Sequence, residues 1–142
     1  MGGEAKMQPR DAPEGFAPHF RRGPLTDPWE PIFSRRHEKT VQLGLWVREA
    51  HCNSRGLLHG GVIAALADNA MGHSCVASQE AARSALTVSL SVDYLATARI
   101  GQWLLVEPRV LRTGSTLGFV DALITADGET IARATATFRM LS

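Results

Sequence analysis

One long apolar segment, residues 60–78, constrains the fold of this 142-residue chain more than any other feature. Its sequence is G-G-V-I-A-A-L-A-D-N-A-M-G-H-S-C-V-A-S, and many of these side chains are alanine or glycine. Small side chains allow other parts of the chain to approach closely. We therefore predict a helix that begins near His59 or Gly60, ends near Ser78 and is enclosed by the rest of the chain.

The remainder of the domain alternates between apolar and polar residues, as β-strands do. Strands are predicted before the helix at residues 40–49 and after it at residues 84–96, 103–111, 117–125 and 130–140. Asp127-Gly128 is a strong hairpin-turn signal, and short turns make successive strands antiparallel neighbours. This order predicts an α+β fold in which one antiparallel sheet packs a face against the helix.

The first strand after the helix has a regular alternation of its own. Its larger side chains are Val88, Leu90, Val92 and Tyr94, and its smaller polar side chains are Thr87, Ser89, Ser91 and Asp93. In an unbroken strand, neighbouring side chains point to opposite faces. The pattern therefore predicts Thr87 on the face opposite Tyr94.

The N-terminal part of the chain differs from the rest in composition. Residues 1–27 are treated as a flexible segment because the first 24 are rich in glycine, proline and charge and can bury little surface. The folded domain is predicted over residues 28–142. Its lead-in contains Trp29, Ile32 and Phe33, which we expect to pack on the domain as an irregular arm or a short helix.

The overall balance of charge and cysteine excludes several classes of function. The chain has 15 basic and 14 acidic residues, so no attraction to nucleic acid is expected, and the Arg pairs at 21–22 and 35–36 are most simply solvated surface charge. Two cysteines and the absence of an apolar leader favour a cytoplasmic protein. The apolar run within the predicted helix is too short for membrane insertion.

Two features of the helix can carry chemistry. His59-Gly60-Gly61 lies at the predicted helix start, where backbone N–H groups lack internal partners and the helix dipole is positive. Such a site can polarise a carbonyl as an oxyanion hole. Asp68 is a carboxylate in an apolar segment and could act as a base. The simpler alternatives are a flexible turn with an exposed histidine, and an acid on the exposed stripe of the helix.

The spacing of these two features limits how they can combine. Gly60 and Asp68 are eight residues apart, which is about 12 Å along one helix. One reacting carbon cannot easily meet both groups of the same helix. Two antiparallel copies of the helix in a dimer would bring Gly60 of one chain close to Asp68 of the other, so a joint site would be shared between subunits.

Other chemistries lack their signatures. The five candidate metal ligands, His51, Cys52, His59, His73 and Cys75, form no C-x-x-C or H-x₃₋₅-H pair, so no metal site is predicted. The nearest approach to a G-x-S-x-G nucleophile elbow begins at Gly72 and lacks the second glycine. Phosphate-binding glycine loops are absent.

The spacing N-x₅-H-G-G-x₆-D, from Asn53 to Asp68, followed by a run of strands, resembles the hot-dog-fold acyl-CoA thioesterases of the PaaI-like (phenylacetate-pathway) type. The resemblance covers about residues 28–141, including the Val-Asp-Tyr-Leu run at 92–95. It implies an antiparallel sheet wrapped around one long central helix. It also implies a homodimer, in many members paired into a tetramer, that hydrolyses an aryl- or fatty-acyl-CoA without a metal or redox cofactor.

The resemblance implies a set of site residues. Asp68 would activate water or attack the thioester carbonyl itself, and the Gly60 N–H would polarise that carbonyl. His59 and Asn53 would orient the acyl group, the water or the thioester. Thr87 falls where relatives carry Ser or Thr near the acid. Gly61 is a further candidate for contact with the substrate, and Arg112 is a candidate for binding coenzyme A phosphates.

Two other hot-dog functions compete with this interpretation. A module that only binds acyl-CoA or a fatty acyl group would keep the fold and pocket, but it has no need of a base such as Asp68. A dehydratase or hydratase would use a different spacing, and the D-x-N-P-x-H run typical of hydratases is replaced here by D-N-A-M-G-H at residues 68–73.

Overall fold

The computed structural model describes residues 10–142. Its helix is α1 (Gly60–Ala77), and its strands are β1 (Ala17–Pro18), β2 (Phe33–His37), β3 (Thr40–Trp46), β4 (Ser84–Tyr94), β5 (Trp103–Thr113), β6 (Leu117–Ala126) and β7 (Glu129–Leu141). Short 3-10 turns occur at Asp27–Trp29 and Glu49–His51. Within this described part of the chain, no helix has the length and apolar character that a membrane crossing requires.

The seven strands form one antiparallel sheet in the order β1-β2-β3-β5-β6-β7-β4. The chain leaves β3, forms α1, and returns at the far edge of the sheet as β4. Because β5, β6 and β7 then fill the space between, α1 lies across the sheet and contacts every strand from β3 to β4. The predicted α+β arrangement of one long helix on an antiparallel sheet is confirmed.

The core lies between α1 and the inner face of the sheet. Alternate residues of β7 point toward α1 and are buried, namely Ala132, Ala134, Ala136, Phe138 and Met140. The side of the helix that packs against the sheet is also buried, and it includes Val62, Ile63, Leu66, Ala67, Ala70 and Met71. Alanine on both surfaces keeps the helix close to the sheet, as the small side chains of the segment predicted.

Strand β4 departs from the regular alternation predicted for it. Its register with β7 shifts between Thr87 and Ser89, so that Thr87 lies opposite Phe138 while Leu90 lies opposite Ala136. Both partners belong to the inward-facing row of β7, and Thr87 and Leu90 therefore share the inner face. The prediction that Thr87 faces away from Tyr94 is wrong, because a β-bulge adds one residue and turns the side chain over.

The N-terminal segment packs on the domain from residue 10 onward, where the sequence predicted a mobile or loosely draped segment; residues 1–9 lie outside the described residues. β1 pairs with β2, and the Phe16 ring packs edge-on against Trp103 with their centroids 5.2 Å apart. His19 is only 7% exposed. Backbone pairing and aromatic contacts hold this segment despite its polar composition. The expected packing of Ile32 and Phe33 is confirmed by their burial, but Phe33 begins strand β2 where an irregular arm or short helix was expected.

On the outer face of the sheet near β3, the aromatic side chain of Trp103 packs directly against Gly44. The indole of Trp103 lies so close to Gly44 that an added Cβ would sit 2.2 Å from its Cζ2 atom. Phe33 and Trp46 surround the same indole. Only a residue without a side chain fits beneath this cluster, so Gly44 fixes the distance between β3 and its aromatic cover.

Gly44→Ala should therefore destabilise the fold by about 1–3 kcal/mol, the usual cost of overpacking. Urea unfolding followed by tryptophan fluorescence measures the change. Gly23→Ala is the matched control, since an added Cβ there meets nothing within 4 Å, and it should change the free energy of unfolding by less than about 0.5 kcal/mol. Equal stability of the two variants would contradict this packing.

Candidate active site

Asp68 lies in the middle of α1, at the side of the helix that faces β4. The Thr87 hydroxyl donates a hydrogen bond to its Oδ1 atom at 2.6 Å. The β-bulge makes this contact possible, because it directs Thr87 to the inner face. Asp68 is half-buried. Its other oxygen, Oδ2, accepts no hydrogen bond from residues 10–142 and is left for a ligand.

Two adjoining recesses meet at this carboxylate. The first, about 280 Å³, lies between α1, the start of β4 and the N-terminal segment. The second, about 400 Å³, is lined by residues 21–26 together with Ala64, Ala65 and Leu90. Both include Arg21, Asp68, Asn69 and Thr87 in their walls. Together they have the size of an ordinary small-molecule site, and Asp68 stands where they join.

The start of α1 has one backbone donor committed and another open. His59 is the N-cap, and its Nδ1 atom accepts from the Gly61 N–H at 2.8 Å. This hydrogen bond occupies the Gly61 N–H, the backbone donor of a residue that was predicted as a candidate for contact with the substrate. The Gly60 N–H meets no acceptor within residues 10–142. An open N–H at the positive end of a helix suits a carbonyl oxygen.

Tyr94 is part of this helix start, although the sequence did not single it out as a site residue. Its hydroxyl donates to the Gly60 carbonyl at 2.6 Å, and its ring leaves only 3.1 Å for a Cβ at residue 60. The sequence did contain a signal for this role, because Tyr94 is a phenol in an otherwise aliphatic row of β4 and a tyrosine hydroxyl near a core generally has a hydrogen-bond partner. Tyr94 fixes the direction of the first turn of α1.

Asn53 supports the loop that leads into α1. Its Oδ1 atom accepts from the backbone N–H groups of Arg55 and Leu57, at 2.9 and 3.1 Å. The side-chain amide NH₂ remains available to donate. The structure thus divides the predicted residues into two groups, with Asn53, His59 and Gly60 at the helix start, and Asp68 with Thr87 two turns further on.

Arg112 belongs to neither group. Its register partner on β6 is Phe119, which alternates with the inward-facing Gly118 and Val120. Arg112 is exposed on the face of the sheet that points away from α1, and it lines neither recess. Other arginines line the first recess instead: Arg21, Arg36 and Arg83. The sequence could not indicate them, since they come from three separate segments.

A pair of histidines anchors the N-terminal segment beside the acid. The Nε2 atom of His19 lies 3.2 Å from Oδ1 of Asn69, the residue after Asp68. The ring of His73 is 5.3 Å from that of His19 and 4.9 Å from that of Phe20. Burial lowers the pKa of His73 to about 4, helped by the charges of His19, Arg21 and Arg36. His73 is therefore neutral at pH 7.

No group of three or more His, Cys, Asp or Glu side chains in residues 10–142 is arranged to hold a metal ion. Cys75 is buried, and burial raises the pKa of its thiol to about 11. A buried thiol of this kind is a poor nucleophile. The candidate chemistry of the site therefore lies with the Asp68 carboxylate and the helix start.

Residues 55–132 match the family model described as the thioesterase superfamily. The chain belongs to the thioesterase superfamily. This chain is 35% identical to a Pseudomonas aeruginosa protein that is named as a candidate esterase, and the similarity covers 92% of this chain and 98% of that one. It is also 34% identical to human acyl-coenzyme A thioesterase 13, over 61% of this chain and 63% of that one. The prediction of a thioester hydrolase is confirmed by this membership.

Solved structures of this superfamily share the fold. A Streptococcus mutans protein bound to acetyl CoA has a TM-score of 0.75 and 26% identity, covering 87% of this chain and 95% of that chain. The Escherichia coli PaaI protein, at 21% identity, has a TM-score of 0.71 over 78% of this chain and 80% of that one. The predicted PaaI-like hot-dog fold is confirmed. The cytoplasmic location stays a prediction.

The His73 pKa predicts how the stability of this thioesterase changes with pH. The pKa is lower in the folded protein than the ordinary value of 6.5, so the unfolded chain takes up the proton first. The contribution of neutral His73 to the free energy of unfolding is therefore complete above pH 6.5, and it is lost as the pH falls from 6.5 to about 4. In His73→Gln this fall should be smaller by about 1–2 kcal/mol, after allowance for solvent screening.

Urea unfolding at pH 7.5, 6, 5 and 4.5 provides the measurement. Some pH dependence should persist in the variant, because burial also lowers the pKa of His19 and His51. Parallel pH profiles for the wild type and His73→Gln would show that His73 is not held neutral by its surroundings.

Proposed function

We propose that this protein is an acyl-CoA thioesterase that hydrolyses an aryl- or fatty-acyl-CoA thioester to the free carboxylic acid and coenzyme A. The observation that carries the proposal is the Thr87–Asp68 hydrogen bond at the junction of two recesses. A carboxylate held at one oxygen presents the other in a fixed direction. Human acyl-coenzyme A thioesterase 13 and the acetyl CoA complex of the Streptococcus mutans protein support the acyl-CoA substrate.

Asp68 performs the chemical step on the thioester carbonyl. It acts either as the base that removes a proton from the attacking water, or as the nucleophile that forms an anhydride which water then opens. In both routes the carbon–sulfur bond breaks, and coenzyme A leaves as a thiolate that takes up a proton. The base must face the attacking water, whereas the nucleophile must face the carbonyl carbon, and either route can use the free oxygen Oδ2. Thr87 donates to Oδ1 and so restricts rotation of the carboxylate, which keeps Oδ2 aimed at the reacting atoms.

The start of α1 stabilises the oxygen of that carbonyl. The Gly60 N–H donates to it, and the positive end of the helix dipole favours the negative charge that develops there. Tyr94 and His59 hold the first turn in place through the Gly60 carbonyl and the Gly61 N–H. The free amide of Asn53 can donate to the water or the thioester.

The two halves of this site come from different subunits of a homodimer. Gly60 and Asp68 of one helix are about 12 Å apart, too far to serve one carbonyl. Strand β4 supports the dimer, because it is an eleven-residue strand at the edge of the sheet with no partner on its outer side within residues 10–142. Its side chains Leu86 and Val88 are 55% and 61% exposed.

Pairing of two β4 edges around a two-fold axis would extend the sheet through both subunits and set the two copies of α1 antiparallel. A long edge strand with exposed apolar side chains is a common template for such pairing. Both a homodimer and a dimer of dimers contain this contact. Each pair of chains then has two sites, each built from Asp68 and Thr87 of one chain and Gly60 of its partner.

A module that binds acyl-CoA without hydrolysing it is the competing function. It would use the recesses and the helix start, but it has no use for a carboxylate fixed by a hydroxyl inside the ligand site. Repulsion between Asp68 and a negatively charged ligand would weaken binding. The Thr87–Asp68 pair therefore favours the hydrolase.

The proposal predicts a graded loss of activity at this pair. Asp68→Asn keeps the size of the side chain and should lower kcat at least about 100-fold, the usual effect of losing a base or nucleophile. Thr87→Val removes only the hydroxyl and should lower kcat about tenfold with little change in KM. Thr87→Ser keeps the donor and should stay within about threefold of wild type.

Release of free thiol from aryl-, short-chain and long-chain acyl-CoAs gives these rates. Undiminished hydrolysis by Asp68→Asn would exclude the proposed chemistry. If the wild type bound acyl-CoA tightly and hydrolysed none of the panel, the binding module would be the correct function.

A further inference from the structure

In each of the two arginine pairs of the chain, one side chain has an ionic or hydrogen-bonding partner and the other has none within residues 10–142, although Arg36 lies over the Phe20 ring at 5.5 Å. Arg22 forms ion pairs with Asp27 and Glu30. Arg35 donates two hydrogen bonds to Gln42. The second members, Arg21 and Arg36, line the first recess. The pairs are therefore not uniform surface charge, and half of each faces the candidate active site.

Arg83, which lies immediately before β4, joins Arg21 and Arg36 in the wall of that recess. The three side chains come from the N-terminal segment, from β2 and from the approach to β4. Within residues 10–142, none of the three lies within 4.0 Å of a carboxylate oxygen. Three separate parts of the chain thus bring cations to one cleft, where none of them forms an ion pair within the described residues.

The charge of the recess is strongly positive for a chain whose net charge is only +1. Its lining holds three arginines and a single acid, Asp68. His73 adds no charge at pH 7, since its pKa is about 4. The remaining walls include Phe20, Val76 and Phe138. A ligand suited to this recess has an apolar part that contacts these walls and a negatively charged group at its end that meets the arginines.

Two parts of an acyl-CoA carry negative charge, namely the phosphates of coenzyme A and an acidic group on the acyl moiety. A recess of about 280 Å³ is about 8 Å across if it is round. The pantetheine arm separates the thioester sulfur from the first phosphate by about 15 Å when extended, judged from the rise of an extended chain. With the thioester at Asp68, the phosphates lie beyond the recess, whereas the far end of a short acyl group lies inside it.

We propose that Arg21, Arg36 and Arg83 form a subsite for a carboxylate at the far end of the acyl group, so that the preferred substrate is a CoA thioester of a short dicarboxylic acid. This inference rests on the proposed function and names the substrate class of the same site. Guanidinium groups are well suited to carboxylates because they bind them through two parallel N–H donors. The N-terminal segment supplies Arg21 and hence part of the specificity.

The test compares adipoyl-CoA with hexanoyl-CoA, which have the same six-carbon chain and differ only in the terminal carboxylate. The wild type should have the higher kcat/KM on adipoyl-CoA. Arg21→Gln, Arg36→Gln and Arg83→Gln should each lower kcat/KM on adipoyl-CoA about tenfold, and on hexanoyl-CoA less than about twofold. Arg139→Gln is the matched control, because it makes the same charge change at an exposed position on the other face of the sheet, and it should alter neither.

Two outcomes would overturn the subsite while leaving the proposed function intact. Equal kcat/KM on the two substrates in the wild type would remove the preference. An equal loss on both substrates in the arginine variants would assign these side chains to the coenzyme A phosphates, which the two substrates share.

A binding measurement separates failure of the subsite from failure of the thioesterase. Non-hydrolysable thioether analogues of adipoyl-CoA and hexanoyl-CoA can be titrated into the wild type and the arginine variants by calorimetry. Tighter binding of the adipoyl analogue that is lost in the variants supports the subsite even if no thiol is ever released. Equal binding of both analogues by the wild type overturns it.

Discussion

The close packing of α1 on the sheet is the constraint on which the rest of this structure depends. Alanines lie on the buried side of the helix and on the inner face of β7, and these small side chains let the helix pack closely on the strands. The helix spans the sheet from β3 to β4, and its middle turns therefore pass beside the edge strand. Asp68 is in contact with Thr87 for this reason, although 19 positions separate them in sequence.

The same packing is the reason for proposing a site that is shared between two chains. A straight helix holds its start and its middle at a fixed separation, and no side-chain movement can bring the Gly60 N–H to a carbonyl beside Asp68 of the same chain. The edge position of β4 supports the proposed dimer, because pairing of two edges would set a second helix beside the first. One rigid element would thus supply half of each of two equivalent sites.

Much of the fold could be predicted from the sequence, because the signals were local and periodic. The helix was expected from His59 or Gly60 to Ser78 and runs from Gly60 to Ala77. The face of Thr87 could not be predicted, since a bulge adds one residue to β4 and reverses the alternation on one side of it. The role of Tyr94 was hidden because its hydrogen bond to Gly60 joins positions far apart in sequence. The Gly61–His59 contact is local, but histidine is not among the residues that usually cap a helix start.

The arginines of the cleft were beyond local patterns altogether. Arg21 and Arg36 each have an arginine neighbour in sequence, and nothing in the sequence separates the one tied by Asp27 or Gln42 from the one that faces the recess. Their convergence is set by the docking of the N-terminal segment, which the composition of residues 1–27 did not predict. Arg112 shows the converse, since an arginine proposed for the ligand lies on the far face of the sheet.

The central claim is a site shared between two chains, and hybrid dimers test it most directly. Asp68→Asn chains are co-expressed with Gly60→Pro chains under two affinity tags, and the hybrids are isolated. Proline is tolerated at the first helical position but removes its N–H. Gly60→Ala is the matched control, because it keeps the N–H and places a similar carbon against Tyr94. A hybrid holds one site with both changes and one with neither, so it should have about half the wild-type activity although each parent dimer is nearly inactive. Hybrids as inactive as their parents would contradict the shared site.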